Sequence, residues 1–308
     1  MKANIIGCGL AGVTAAILLK EKGYDVEIFE SRSHIGGNCY DQKIKGITVH
    51  KYGPHGFHTN NDQVWSFLNR YTKFNNVCLR VKANTKEGII PLPFNRESEK
   101  IIGKKSPEEI IDLIFKDYSE KMWGVPWENL PKSITSRVPK LRDDNSHCFQ
   151  NMLNGIKVNL GVNKDEWRRR RCDLLIYTGK IDEYFNYCYG WLEYRSLSIQ
   201  FETAPKRKDI FQLNECNKKK FTRSIDHSHW HEQDVKDTII SKEYPQEHDE
   251  SNTPFYPKPF GENISRYKRY KDLANREKNT IFIGRLATYK YLDMDDVIAQ
   301  TLTKLKKI

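Results

Sequence analysis

The stretch that decides the fold is Lys2-Ala3-Asn4-Ile5-Ile6-Gly7-Cys8-Gly9-Leu10-Ala11-Gly12, answered further on by Asp25-Val26-Glu27-Ile28-Phe29-Glu30. Ala3–Ile6 is an apolar run short enough to be a buried strand. Leu10 to Lys22 is a good helix former that Gly23 ends as a C-terminal cap. Asp25–Glu30 reads as a second strand. Between the first strand and the helix stands G-x-G-x-x-G. Gly7 serves the tight turn, Gly9 lets backbone approach a pyrophosphate, and Gly12 lets helix and strand pack closely. The pyrophosphate would rest on the amides that open the helix, where donors and dipole both favour an anion. Glu30 closes the second strand 23 residues after Gly7, where a carboxylate accepts from an adenosine ribose. The expectation is a dinucleotide site at the N-terminus of an α/β protein.

Outward from that unit, 308 residues suffice for a sizeable core and two or three sub-domains. Hydrophobic residues make up 38% and charged residues 30%, a globular and not a disordered composition. No apolar run approaches the ~20 residues of a membrane span, so no membrane insertion is expected. Seven cysteines are scattered without a C-x-x-C pair. This predicts reduced thiols in a cytoplasm and neither a disulfide framework nor a metal site. The net charge of +11 suits a nucleic-acid partner or a small polyanion. The longest basic run, Arg168–Arg171, reads as a solvated loop, and no nucleic-acid motif accompanies it.

Further helices are expected over Asp62–Tyr71 and from Ser106. There Ser106, Pro107 and Glu109 supply N-cap, N1 proline and capping-box partner, with Ile110, Ile111, Ile114 and Tyr118 on the apolar face. Strands are expected at Leu79–Ala83, Ile156–Leu160, Leu174–Tyr177, Ser196–Phe201 and Thr280–Ile283. A last helix over Asp295–Lys306 has an acidic first turn and a basic last turn. Glu243 to Pro259, rich in Pro, Glu and Asp, reads as an irregular crossing loop.

Glu30 is followed by Arg32, the Gly36-Gly37 pair and Asn38, which resembles the FAD-dependent amine oxidases and their relatives. Leu174–Gly179 resembles the strand-Thr-Gly element that returns to FAD in such folds. Eight strings, in order, are similar to the UDP-galactopyranose mutases: GGNCYD at Gly36, HKYGPHGFHTN at His50, PLPFN at Pro91, YSEKMWG at Tyr118, LPKSITSRVP at Leu130, YTGKIDEYFNY at Tyr177, LEYRSLSIQFE at Leu192 and IGRLATYKYLDMD at Ile283. The implied fold is a Rossmann-like FAD-binding domain with a small helical insertion and an antiparallel β-sheet substrate domain. The implied divisions are 1–78, 150–185 and 240–308 for FAD, 96–136 for the helical part, and 79–95, 137–149 and 186–239 for the sheet.

The resemblance implies interconversion of UDP-galactopyranose and UDP-galactofuranose. In that family N5 of reduced flavin attacks the anomeric carbon, UDP leaves, and the sugar reopens and recloses through a flavin iminium adduct. It implies FAD contacts at Gly7, Gly9, Gly12, Glu30, Arg32, Gly37, Asn38, His55, Gly179, Arg285, Tyr291, Asp293 and Met294, the final helix presenting its N-terminus to the N1–O2 edge of the flavin. Arg137 and Arg223 would clamp the diphosphate, with Arg195 near it. Tyr118 and Trp123 would hold uridine, and Asn95, Tyr256, Tyr291 and Asp293 would line the sugar and diphosphate. His55 would lie against the flavin, and His58 reads as structural. NAD(P)H is an external reductant to test. Compared with the family, the region after PLPFN is short, which predicts a compact monomer or small homo-oligomer, as a virus-encoded enzyme acting in a bacterial cytoplasm would be. Other readings are a mutase for a related nucleotide sugar (UDP-N-acetylgalactosamine or dTDP-fucose), an amine-oxidase-like FAD oxidoreductase, and a non-catalytic flavoprotein.

Overall fold

The computed structural model describes residues 1–74, 79–135, 151–306 and 308. Arg137, one of the two expected diphosphate arginines, lies outside the described residues.

The opening stretch folds as its pattern dictates. Strand β1 (Lys2–Ile6), helix α1 (Leu10–Glu21) and strand β2 (Asp25–Glu30) follow one another with almost no connecting chain. A hairpin of β3 (Asp41–Ile44) and β4 (Ile47–His50) comes next, and then β5 (Val81–Thr85) and β6 (Gly88–Leu92). The helical insertion carries α2 (Asp117–Trp123), followed by short helical turns at Trp127–Asn129 and Lys132–Thr135. The remaining strands are β7 (Lys157–Leu160), β8 (Leu174–Tyr177), β9 (Tyr194–Pro205), β10 (Gln212–Cys216), β11 (Arg223–Asp226), β12 (Asp237–Glu247), β13 (Tyr256–Pro257) and β14 (Thr280–Phe282). Helix α3 (Met294–Leu305) closes the chain.

Five strands form a parallel sheet in the order β14-β8-β1-β2-β7. Its central strands are covered on both faces, so even their polar residues Asn4, Glu27 and Glu30 are buried. One core joins Ile5, Val13, Ala16, Leu19, Ile28 and Ile176 to Ile298 and Leu305 of α3. The second sheet has seven strands in the order β13-β9-β12-β11-β10-β5-β6. Among its pairs β5 and β10 run parallel and the others antiparallel, so the expected antiparallel sheet is mixed at that point.

Two expectations are corrected. Glu243–Pro259 is not one irregular loop, because β12 continues to Glu247 and β13 adds Tyr256–Pro257. Pro245 fits because β11 pairs only as far as Glu243, so β12 has an open side there. In the insertion the cap is as expected: Ser106 Oγ accepts from Glu109 N at 3.2 Å, and Glu109 returns the bond. The helix then widens into a π segment over Ile111–Lys116. Its i→i+5 spacing rotates the buried face, so Leu113 and Ile114 are inside and Ile111 is exposed. The Arg168–Arg171 run is exposed throughout, as read from the sequence.

Candidate functional site

The carboxyl end of the parallel sheet, the insertion and the seven-stranded sheet enclose one cavity of about 1690 Å³. Single small-molecule pockets are typically ~300–1,000 Å³, so this one has room for two ligands.

Its cofactor-facing half is the opening motif. A Cβ on Gly12 would stand 1.9 Å from Gly7 O, which enforces glycine by packing alone. Gly9 is different, since a Cβ there would meet only the Gly37 Cα at 3.7 Å. The protein itself therefore leaves open space over the Gly9 backbone, where a pyrophosphate could approach. Glu30 is buried beside the loop. Its Oε2 accepts from Cys8 N at 2.7 Å and its Oε1 from Arg32 N at 2.9 Å. Arg32 donates to Asn38 Oδ1 at 2.8 Å and stacks over Tyr52 at 4.4 Å. Its Nη1 is buried with no partner among the described residues, an orphaned guanidinium donor at the position an anionic pyrophosphate would fill. Thr178 and Gly179 line the same wall, Thr178 Oγ1 donating to Ile6 O at 2.8 Å. The residues present therefore fit FAD.

Asp293 and Met294 open α3 onto the cavity, and Asp296 accepts from Asp293 N at 3.1 Å. Arg285 donates to Phe255 O at 3.1 Å and, through Nε and Nη2, to Leu292 O. The same guanidinium lies over the rings of Tyr256 (5.2 Å) and Tyr291 (5.0 Å), which are themselves stacked 5.4 Å apart at 11°. Trp123 meets Tyr256, Tyr291 and Phe260 at 6.0–6.3 Å. An aromatic box results, fed from α2, β13 and the segment before α3.

Arg223 and Tyr118 stand beside the box. Arg223 donates through Nε to Glu243 Oε2 at 2.7 Å, and Glu243 is 1% exposed. Burial opposes the charge on Arg223, and the Glu243 carboxylate outweighs it, so the guanidinium pKa is raised above its ordinary value. Because Nε takes the carboxylate, the terminal nitrogens are left toward Gly53 and the cavity. Burial pushes the Tyr118 phenol up to about 12, so it stays a neutral donor.

His55 lines the cavity in a stack. Its ring lies 3.7 Å from His50 at 16°, and His50 lies 4.1 Å from Trp230 at 17°. His55 Nδ1 sits 3.1 Å from Gly53 O and Nε2 3.0 Å from Asp41 Oδ1. His50 Nδ1 accepts from His55 N, and His227 Nδ1 accepts from His50 N. Burial, then the neighbouring histidines, hold both His50 and His227 well below the usual imidazole range. The donor atoms of Asp41, His50 and His55 lie within 4.8 Å of one another. Near-parallel stacked rings cannot aim their in-plane lone pairs at one point, so this cluster is a poor metal cage.

Two expected residues are placed elsewhere. Asn95 is not among the cavity's lining residues; its Oδ1 caps the helix Arg96–Ile102, accepting from Glu97 N (2.9 Å) and Ser98 N (3.2 Å). Arg195 is 4% exposed behind α2, giving its donors to Met122 O, Lys121 O and Glu247. Sequence reading missed Glu243, Asp41, Tyr52 and Phe255. Asp41 and Tyr52 carried a signal, standing in the GGNCYD and HKYGPHGFHTN strings, whereas Glu243 and Phe255 carried none.

Residues 113–291, more than half of the chain, match the family model of UDP-galactopyranose mutase, and residues 5–71 match a Rossmann-like NAD(P)-binding domain. The dTDP-fucopyranose mutase of Escherichia coli is 33% identical over 98% of this chain and 96% of its own. This chain belongs to the UDP-galactopyranose mutase family. A probable UDP-galactopyranose mutase of Klebsiella pneumoniae is 32% identical over 97% of this chain and 92% of its own. The fold matches the crystal structure of a reduced UDP-galactopyranose mutase with a TM-score of 0.74 at 15% identity, over 99% and 93% of the two chains. The family is one of FAD-dependent isomerases. Its Escherichia coli member aligns over 367 positions, more than the 308 residues here, so this mutase is a shortened one. Among the described residues no helix is long and apolar enough to cross a membrane.

Proposed function

We propose that this mutase interconverts the pyranose and furanose forms of UDP-galactose, with FAD bound in its reduced state. One observation carries the reading: an orphaned arginine beside a glycine loop and an arginine-flanked aromatic box open into the same cavity. The first suits the pyrophosphate of FAD and the second a nucleotide diphosphate. Gly7, Gly9, Gly12, Glu30, Arg32, Gly37, Asn38 and Gly179 hold the dinucleotide, and Arg285, Asp293 and Met294 stand at the other end of it. Reduced flavin, when bound, supplies the nucleophile at N5.

The chain's own residues do the rest. Trp123, Tyr118, Tyr256 and Tyr291 hold base and sugar against aromatic faces. Arg223, oriented by Glu243, offers its terminal nitrogens to the leaving diphosphate, and Arg137 is proposed as its partner. A dianion facing a guanidinium already paired with Glu243 gains from a second cation. His55, between Gly53 O and Asp41, presents a fixed imidazole edge to the cavity. NAD(P)H is proposed as the external reductant, and a monomer or small homo-oligomer as the working form. A second reading, a dTDP-6-deoxy sugar as substrate, is favoured by the Escherichia coli relative.

The test is anaerobic incubation of the dithionite-reduced protein with UDP-galactofuranose and, in parallel, dTDP-fucofuranose, followed by chromatography. Conversion of the first sugar, absent with oxidised flavin, is the expected result. Conversion of the second alone would replace it with the dTDP-sugar reading. Conversion of neither, with FAD bound, would overturn both.

A further inference from the structure

Four backbone carbonyls, one near the end of β10 and three in the loop that leads to β11, point at one atom. The Nζ of Lys121, on α2, donates to Glu215 O (2.6 Å), Asn217 O (2.9 Å), Lys219 O (3.1 Å) and Phe221 O (3.2 Å). An ammonium has three protons, so at least one is shared. Converging carbonyl dipoles repel one another, and a cation with several N–H donors at their focus relieves that repulsion. Here the cation is a side chain from another element. The loop is also lysine-rich, with Lys218 pairing with Asp117 of α2 and Lys219 with Glu215. Adding a further positive charge to its centre is therefore sustained by the carbonyls.

The loop leads straight into the site. Glu215 N donates to Thr222 O at 2.7 Å and Thr222 N to Glu243 O at 2.9 Å, and Arg223 follows. Lys121 lies one turn after Tyr118 on α2, so one face of that helix carries both the phenol and the ammonium. The arrangement ties three things together: the helix with Tyr118 and Trp123, the strand start with Arg223, and the Glu243 that orients Arg223. Lys121 itself does not line the cavity.

We propose that Lys121 is a positioning residue whose ammonium acts as an internal cation, folding residues 215–221 around itself and so holding Arg223 against Tyr118 in the nucleotide-sugar site. This rests on the reading that Arg223 and Tyr118 contact the nucleotide sugar. Because the loop's link to Arg223 serves binding of the diphosphate, loss of Lys121 raises KM more than it lowers kcat, and FAD stays bound.

The experiment uses the FAD-loaded full chain with Lys121→Met, which keeps length and apolar stem but removes the charge, and Lys121→Arg, which keeps the charge on a planar group that cannot serve four converging carbonyls. Amide exchange over residues 215–223 is read without substrate, KM and kcat with UDP-galactofuranose, and flavin content by absorbance. Expected are exchange faster by tenfold or more and a KM raised at least tenfold in Lys121→Met, with kcat within threefold and flavin retained. An intermediate KM is expected for Lys121→Arg. In Lys121→Ala, ethylammonium chloride should lower KM again where choline chloride at equal strength does not, since only the first has N–H donors for the cage. Exchange and KM both within twofold of wild type in Lys121→Met would overturn the proposal. Should that variant not fold, wild-type KM in Lys121→Arg, or equal effects of the two salts on Lys121→Ala, would overturn it. Failure of the mutase reading would appear separately, as a wild type that converts no sugar.

Discussion

The Nε of Arg223 is 2.7 Å from a Glu243 carboxylate that water barely reaches, and this pairing governs how the arginine can be tested. Removing the guanidinium outright would strand a buried carboxylate, at a cost of about 3–5 kcal/mol unrelated to substrate. Arg223→Lys keeps a charge for Glu243 and removes the planar fork. Charge-assisted bonds to a diphosphate are worth about 1.5–3 kcal/mol, so kcat/KM should fall at least about tenfold while Tm moves little. A variant with unchanged kcat/KM would remove Arg223 from the diphosphate site. The histidine stack makes a second prediction at this scale. His50 and His227 stay neutral when folded but take up protons near pH 6.5 when unfolded. The unfolded state then binds more protons, so stability is undiminished above pH 6.5 and is lost as pH falls below it. Two such groups give a slope of up to about 2.7 kcal/mol per pH unit. Urea midpoints at pH 7.5, 6.0 and 5.0 should fall in that order. His227→Gln should flatten the trend by about half. Single residues were legible where spacing encodes them, as at Gly7, Gly9, Gly12 and Glu30. Glu243 was not, because nothing in a linear chain says which strand lies beside Arg223.

Helix ends tell a similar story one level up. Asn95-Arg96-Glu97-Ser98 carries a cap signature, and the structure uses it as one, with Ser98 Oγ reached by Asn95 N at 3.2 Å. The family resemblance pointed the same asparagine at substrate. Asn95→Ala separates the two roles, since loss of an N-cap costs about 1 kcal/mol. The expected outcome is a Tm lower by about 2 °C with KM within twofold. A tenfold rise in KM at unchanged Tm would return Asn95 to the substrate. Arg195 teaches the same lesson, because its guanidinium is bound to the carbonyls that end α2. Elements whose apolar period was clean were readable: β1, α1, β2, β8 and α3. The π segment was not, because a 3.6-residue period cannot anticipate a wider turn. Nor was β12 past Glu243, because Pro245 reads as a breaker until one knows that β11 has already ended there.

At the scale of the whole molecule, the cavity belongs to no single sheet. Gly7–Gly12, Glu30 and Thr178 come from the carboxyl end of the parallel sheet, whereas Arg223, Gln212 and Tyr256 come from the seven-stranded one. The polar groups that face it are ordered around space: Arg32 Nη1 has no described partner, and Gly9 leaves room that the protein does not fill. The sequence motifs could announce a dinucleotide but not this sharing, which depends on how the two sheets meet. One consequence can be measured without substrate. A cofactor that binds only the folded chain stabilises it by mass action, about 2.7 kcal/mol at a free concentration 100 times Kd. A kcal/mol corresponds to about 2 °C in a chain of this size, so stripping FAD should lower Tm by about 5 °C. Because both sheets wall the cavity that the cofactor is proposed to fill, the loss should be felt in both. Amide exchange should quicken in β11 and around Tyr256 as well as in the loop from Gly7 to Gly12. Faster exchange confined to the parallel sheet would mean that FAD is held by that sheet alone. The aromatic box would then be assembled without it.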